Sequence, residues 1–277
     1  MQPEAKNMQS KKGNTRLSSF YKERFDSFLT NLNLSKNLNE ESIHKLRVDI
    51  KNMRSLLLLV EEINLQTKLA TKLIKQLRSI FRSTGKLRAL QVSKSLLASS
   101  NISIPEQISL FLEEEIKNQS KKVSINFSKF NLPKFKKRVA ILYSDLEQIE
   151  DSELLLKGDR IIHDELEIVN KLFNSSKGEE YHHEIRKLLK VVKTLENLLL
   201  VLSEDERRKQ ALEIVNTTET NLGNWHDHKS LADFLLRLEQ KLSDASISRT
   251  LRNLNNQNNK AKLELKKEAD KHLRNHF

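Results

Sequence analysis

Residues that end or bend helices are rare in this sequence. Among 277 residues there are 5 glycines and 3 prolines, and long stretches consist mainly of leucine, lysine, glutamate and asparagine. Leucine, lysine and glutamate favour helices, whereas glycine and proline disfavour them. Apolar residues recur every three or four positions, as on the buried face of a helix; one such row is Leu69, Leu73, Leu77 and Ile80. The sequence therefore predicts an all-α fold.

The few glycines indicate where helices would end. Gly85, Gly158 and Gly223 are each expected to interrupt a helix, because glycine is the weakest helix former after proline. Apolar residues alternate over 124–133, but no partner strand is evident, so this segment is predicted to be a loop. A first amphipathic helix is expected over 17–32.

Composition excludes several classes of protein. There is no cysteine, which rules out disulfides, cysteine-ligated zinc and a thiol nucleophile. The longest apolar run, Leu56–Val60, is too short to span a membrane, and the N-terminus lacks the apolar block of a signal peptide. We therefore expect a soluble cytoplasmic protein that does not associate with membranes.

Positive charge dominates and is unevenly distributed. The net charge is +12, and neither Ile63–Pro105 nor Ile116–Ser144 contains an Asp or Glu, whereas acids cluster from Asp145 onward. A strongly basic protein attracts polyanions such as nucleic acid or polyphosphate. We expect the first half of the chain to carry the stronger positive field.

The same pattern of basic residues occurs once in each half of the chain. A histidine is followed by a base at i+3, i+7 and i+10, which places all four side chains on one side of a helix. On a helical wheel this stripe borders the apolar face, so the bases are expected to line a groove between packed helices, where a lower dielectric strengthens their hold on an anion. The first stripe is His44, Arg47, Lys51 and Arg54; the second is His183, Arg186, Lys190 and Lys193, with Lys187 as an additional base.

A histidine and a glycine of the first half each recur in the second half at nearly the same distance along the chain. His44 lies 139 residues before His183, and Gly85 lies 138 residues before Gly223. Such spacing predicts duplication of a helical unit. We expect a flexible N-terminal segment at 1–16, followed by a single domain at 17–277 that consists of two repeats, at about 17–140 and 141–277.

Four like charges over three turns repel one another and need counter-charge. One interpretation is an external anion held between the two stripes. The alternative is neutralisation within the protein by the acids of 145–167. The sequence alone leaves both open.

The stripe pattern, His-x-x-Arg-x-x-x-Lys-x-x-Arg/Lys in each half, resembles the CHAD family, named for conserved histidines in an α-helical domain. A second family landmark, a Gly followed by a His or basic residue before an Asp, is similar to Leu222–Asp227; Thr84–Ala89 keeps the Gly and a base but has Ala89 where Asp is usual. The resemblance implies two pseudo-symmetric bundles of four-helix type with a basic groove or pore between them. It also implies binding of inorganic polyphosphate and association with polyphosphate granules.

Carried onto this sequence, the resemblance gives a set of expected polyphosphate contacts. Most are the stripe residues themselves, with Arg88 and His226 as secondary candidates and Arg82 chosen from its position only. The full set is His44, Arg47, Lys51, Arg54, Arg82, Arg88, His183, Arg186, Lys187, Lys190, Lys193 and His226.

No catalytic motif accompanies these basic residues. The sequence has no P-loop, no paired carboxylates and no nucleophile with an adjacent base. The string Glu113, Glu115, Lys117 matches the signature of a triphosphate-tunnel phosphohydrolase, but it is predicted to lie on a helix, where i and i+2 point apart. We expect a non-enzymatic binding protein without cofactor or metal. The alternatives are a general polyanion-binding or nucleic-acid-binding protein and a phosphohydrolase, and the sequence does not indicate an oligomeric state.

Overall fold

The all-α prediction is confirmed. A computed structural model describes residues 16–175, 180–242 and 244–277, and within those ranges the secondary structure is helical, with no strand. The predicted flexible segment 1–16 lies outside the described residues except for Arg16. The α-helices are α1 (Arg16–Leu34), α2 (Glu40–Glu62), α3 (Thr67–Ala98), α4 (Glu106–Ser128), α5 (Leu132–Leu146), α6 (Asp151–Ser175), α7 (Glu180–Ser203), α8 (Glu206–Lys241) and α9 (Ala245–His276).

The predicted breaks at glycine are wrong. Gly85, Gly158 and Gly223 lie inside α3, α6 and α8. A glycine costs a helix only about 1 kcal/mol relative to alanine, which tertiary packing overrides. The chain turns instead at 147–150, between α5 and α6.

The loop predicted over 124–133 is also wrong. Helix α4 continues to Ser128, with Val123 buried and Phe127 packed one turn later against the same small cluster. Helix α5 begins at Leu132, where the Asn131 side chain accepts a hydrogen bond from the backbone N–H of Lys134. The alternation of apolar residues therefore spans the end of one helix and a short connection.

The helices pack in the same order in both halves. In the first half α1 packs on α2, α2 on α3 and α3 on α4; in the second half α6 packs on α7, α7 on α8 and α8 on α9. The halves meet where α2 packs on α7 and α3 packs on α8, while α5 packs on α1 and α3. This order fits two repeats, although the expected boundary at 140/141 lies within α5. Duplication stays a prediction.

The apolar core is divided into separate clusters where the halves meet. One large cluster includes Ile80 of α3 and Leu222 of α8, and a second cluster begins at Leu90 of α3 and Leu231 of α8. The segments between them contain the two glycines of the sequence landmark. The site described below lies at this level. Within the described part of the chain, no helix combines the length and apolar character that a membrane span requires.

We expect Gly158→Ala to lower the free energy of unfolding and Gly85→Ala to raise it. A Cβ at 158 would lie 2.8 Å from Cδ2 of Leu199, which is fully buried. Overpacking of this kind costs about 1–3 kcal/mol, more than the roughly 1 kcal/mol that alanine gains over glycine in a helix. At 85 the nearest atom would be Arg47 Nη1 at 3.6 Å, an ordinary contact. Urea unfolding of the two variants measures both effects; a change of the same sign in both would contradict this account.

Candidate anion-binding crevice

The two basic stripes face each other across the seam where α2 packs on α7. Two cavities open there, and Lys51 lines both. We call the first the histidine cavity: it has a volume of about 150 Å³ and is lined by His44, Arg47, Lys51, Gly85, Arg88, Ala89, Val92, Arg186, His226, Asp227 and Ser230. We call the second the lysine cavity: it has a volume of about 230 Å³ and is lined by Phe20, Arg24, Val48, Lys51, Asn52, Lys190, Lys193, Thr194, Asn197 and Glu219. Together they form the central crevice.

Arg47 is held rigidly against the next helix. Its Nη1 donates hydrogen bonds to the backbone oxygen of Phe81 at 2.6 Å and to Thr84 Oγ1 at 3.1 Å. The guanidinium carbon lies 3.9 Å from the centroid of the Phe81 ring, a cation–π distance. The same side chain crosses α3 at Gly85, where a Cβ would be 3.6 Å from Nη1. Arg47 therefore presents a fixed positive charge to the histidine cavity.

Arg186 makes the equivalent crossing in the second half. A Cβ at Gly223 would lie 2.8 Å from Arg186 Nη2, so this glycine is what lets the guanidinium approach the backbone of α8. Its Nε lies 3.3 Å from Glu219 Oε1, without the alignment of a hydrogen bond. The glycine landmarks thus mark close approach of an arginine, not the end of a helix.

Glu219 supplies the counter-charge of the second stripe. Its carboxylate lies 3.3 Å from Arg186 Nε, 3.3 Å from Lys190 Nζ and 3.8 Å from Lys193 Nζ. Burial raises the pKa of Glu219, but Lys190, Arg186 and Lys193 outweigh burial and the net shift is downward. Among the described residues, no ion pair joins a stripe residue to the acids of 145–167.

The first stripe has no such partner. In the described ranges, no carboxylate lies within 4 Å of Arg47, Lys51 or Arg54. Position 81, which corresponds to Glu219 at the spacing of the glycine landmarks, is a phenylalanine that stacks on Arg47. The two halves therefore share their cations but differ in counter-charge.

The lysines that meet at the seam have lowered pKa values. Burial, followed by repulsion from Lys190 and Arg186, lowers the pKa of Lys51 to about 7. Burial and Arg186 lower the pKa of Lys190 to about 8, against the attraction of Glu219. Both lysines therefore titrate near neutral pH instead of near 10.5.

Histidines close the other end of the crevice. The rings of His183 and His226 lie 5.1 Å apart, and the Nδ1 atom of each is buried without a hydrogen-bond partner. Burial, with Arg186 and His183, lowers the pKa of His226 to about 4, so this ring is neutral at pH 7. His44 is exposed at the rim; burial of part of the ring and the charge of Arg88 lower its pKa. Asp227 is an acid inside the histidine cavity; burial raises its pKa, although Arg186 and Arg88 act to lower it.

Comparison with known proteins identifies the family. A model of the CHAD domain family matches residues 21–277. The chain belongs to the CHAD domain family. Its structure is similar to the crystal structure of the CHAD domain from the plant Ricinus communis, with a TM-score of 0.67 at 13% identity, covering 94% of this chain and 90% of that chain. No protein with a curated description matches the sequence.

The structure brings most of the predicted contacts of this CHAD domain together and separates a few. Lys187 points away, exposed and paired with Glu184 at 2.8 Å. Arg88 lines the histidine cavity but also pairs with Glu40 at 2.7 Å. Arg54 and Arg82 line neither cavity; Arg82 lies in a separate cleft. The predicted residues within the crevice are His44, Arg47, Lys51, Arg88, Arg186, Lys190, Lys193 and His226, with His183 packed behind His226.

Sequence reasoning missed several residues of the crevice. Glu219 lies one helical turn before Gly223, and its role could have been found by asking which acid faces the arginine that crosses there. Asp227 was present in the family landmark but was given no role. Within the described residues, no group of three or more His, Asp or Glu side chains is arranged to hold a metal ion.

We expect Glu219→Gln to destabilise the domain near neutral pH. Removing one partner of a fully buried ion pair costs about 3–5 kcal/mol, and we expect roughly 2 kcal/mol here because Lys193 is partly exposed. A carboxyl group with a lowered pKa stabilises the fold above its unfolded pKa and ceases to do so as the pH falls through the folded value. The difference from the unaltered protein should therefore persist from pH 7 down to about 4.5 and narrow only at lower pH, as measured by denaturant unfolding.

Glu184→Gln is the matched control for this experiment. Among the described residues, Glu184 forms an ion pair only with the exposed Lys187 on its own helix. Its loss should change the free energy of unfolding by at most about 0.5 kcal/mol. Equal effects of the two substitutions would show that Glu219 is not the counter-ion of the crevice.

Proposed function

We propose that this CHAD domain binds inorganic polyphosphate in the central crevice and catalyses no reaction on it. The observation that carries the proposal is Lys51, which is partly buried among Arg47, Arg186 and Lys190. Among the described residues it forms no ion pair within 4 Å, and the attraction of Glu219 offsets only part of the repulsion. Burying like charges with too little counter-charge opposes folding. A polyvalent anion placed between these cations would remove that cost, and the removal would contribute to its affinity.

The chemistry of the lining favours phosphate. Guanidinium groups grip two oxygens of a phosphate at once, whereas lysine supplies a point charge. Arg47 and Arg186 cross their neighbouring helices at fixed positions on opposite sides of the seam. They would orient one phosphate group, while the flexible side chains of Lys51 and Lys190 would bind the neighbouring phosphate group of the chain.

The shape of the crevice favours polyphosphate over nucleic acid as its ligand. The two cavities, of about 150 and 230 Å³, are narrow and follow one another through Lys51. A DNA major groove alone is about 12 Å wide, so a duplex would touch only the rim. Single-stranded nucleic acid is held by stacking on aromatic side chains. The linings of the two cavities contain one phenylalanine, Phe20, and no tyrosine or tryptophan.

Two further parts of the proposal come from the family resemblance. Association with polyphosphate granules would follow from affinity for their main component, and a cytoplasmic location would place the protein with them. A phosphohydrolase is the remaining alternative. Release of inorganic phosphate from polyphosphate in the presence of magnesium or manganese would favour it over a binding protein.

We expect Lys51→Gln with Lys190→Gln to weaken binding of long-chain polyphosphate by about a hundredfold or more. Each charge-assisted hydrogen bond is worth about 1.5–3 kcal/mol, and 1.4 kcal/mol is a factor of ten. The measurement is calorimetric titration at two salt concentrations. The variant should remain folded, as checked by circular dichroism, because the relief of repulsion at the seam offsets the loss of the Lys190–Glu219 ion pair.

The control for this pair is Lys187→Gln, which removes a nearby charge outside the crevice. It should change the affinity less than about threefold, as expected for an exposed charge with its own partner. Double-stranded DNA is titrated beside polyphosphate. Equal affinity for the two polyanions, or equal loss in both variants, would indicate a generic basic surface.

We expect polyphosphate binding at pH 8 to take up about one proton. At this pH Lys51, with a pKa of about 7, is largely neutral, and Lys190, with a pKa of about 8, is half neutral. An anion between them raises both pKa values, so the lysines take up protons when it binds. Affinity should be full below pH 7 and decline as the pH rises toward the higher pKa values of the bound state. Calorimetry in two buffers of different protonation enthalpy measures the uptake; surface lysines that titrate near 10.5 would give none.

A further inference from the structure

A second basic cleft lies on the first half of the domain, between α3 and α4. Its cavity, of about 690 Å³, is larger than either part of the central crevice and shares no residue with it. Three bases, Lys75, Arg78 and Arg82, occur on α3 at i, i+3 and i+7, the spacing of the motif stripes. The cleft is lined by Thr71, Ile74, Lys75, Arg78, Ser79, Arg82, Ser83 and Asn126.

The bases of this cleft have no internal counter-charge. Within the described ranges, no carboxylate lies within 4 Å of Lys75, Arg78 or Arg82. Glu61 approaches only the end of the cleft, where it accepts a hydrogen bond from Thr71 Oγ1 at 2.7 Å. All three bases are exposed, so repulsion among them costs little and does not by itself imply a ligand.

Arg54 lies on α2 between Lys51 of the central crevice and Arg78 of this cleft. It follows Lys51 by three residues on α2, about 4.5 Å farther along the helix axis. Its Nε is buried without a hydrogen-bond partner. Burial and then Arg78 lower the pKa of Arg54, so the two guanidinium groups lie close enough to repel each other. The cations thus continue from Arg47 and Lys51 through Arg54 to Arg78.

The second half offers no such continuation. At the 138-residue spacing of the glycine landmarks, Lys75, Arg78 and Arg82 correspond to an acid and two uncharged residues, Glu213, Asn216 and Thr220. Arg54 corresponds to Lys193 in the second stripe, which lies 3.8 Å from the Glu219 carboxylate. A chain of phosphates that leaves the crevice would therefore meet cations on one side only.

We propose that the cleft between α3 and α4 is a second phosphate subsite, which continues the path of a polyphosphate chain from the central crevice past Arg54. This inference rests on the proposed function and adds a direction to it. Guanidinium groups would bind phosphate oxygens in pairs, and the hydroxyl of Ser79 can donate a hydrogen bond to a remaining oxygen. A short chain fills the crevice alone, whereas a long chain reaches the cleft.

The test compares two chain lengths on one triple variant, Lys75→Gln, Arg78→Gln and Arg82→Gln. We expect it to bind a chain of about fifty phosphates at least tenfold more weakly and to bind tripolyphosphate within about twofold of the unaltered protein. The slope of log affinity against log salt for the long chain should fall by about 2, at roughly 0.7 per lost phosphate contact if polyphosphate behaves as single-stranded nucleic acid does.

The control is a second triple variant with the same loss of charge, Lys260→Gln, Lys267→Gln and Lys271→Gln. These lysines are exposed on α9, whose main packing partner is α8. It should bind the long chain within about threefold of the unaltered protein, and both triple variants should keep its melting temperature. Equal weakening in both would leave only the general field of the protein and would overturn the subsite.

The two proposals fail in distinguishable ways. Equal loss of tripolyphosphate and long-chain binding in the α3 variant would overturn the separate subsite and leave the crevice in place. Unchanged binding of tripolyphosphate after Lys51→Gln with Lys190→Gln would overturn the crevice instead. No binding of either chain by the unaltered protein would overturn both.

Discussion

Repulsion between the basic rows of α2 and α7 is the constraint on which the rest of the site depends. Packing these helices together buries apolar residues from both halves in one core, and it also brings Lys51 within range of Lys190 and Arg186. The protein reduces this cost in two ways. It lets the pKa values of the two lysines fall toward neutrality, and it places Glu219 among the cations of the second stripe. Neither measure removes the positive potential of the first stripe, which is why an external anion would still stabilise the seam.

The two halves use one backbone arrangement with different chemistry. In each, an arginine crosses a glycine of the neighbouring helix and is held there by the residue one turn earlier. That residue is Phe81 in the first half, which adds a cation–π contact and no charge, and Glu219 in the second, which neutralises. This difference at one equivalent position therefore leaves less counter-charge beside the arginine of the first half. The basic cleft on α3 lies on this same half.

Much of the helical content and of the basic crevice could be predicted from the sequence, because both depend on periodicity along single helices. The positions of the stripe bases relative to the apolar row placed Arg47, Lys51 and Arg186 beside the core, where they lie. The glycines were misinterpreted because a glycine that ends a helix and a glycine that admits a neighbouring side chain look alike in one sequence. Glu219 was missed because a single acid among polar residues carries no pattern; only the direction of Arg186 gives it meaning.

The sequence by itself determined the helical class, the side of each helix on which the cations lie and their recurrence in both halves. These are local properties, fixed by 3.6 residues per turn and by the side chains within one helix. Only the tertiary structure decided which cations are neutralised and which are not. That outcome depends on which residues of α3 and α8 oppose the stripes. It therefore depends on side-chain contacts of 3 to 4 Å between packed helices, which no spacing along the chain specifies.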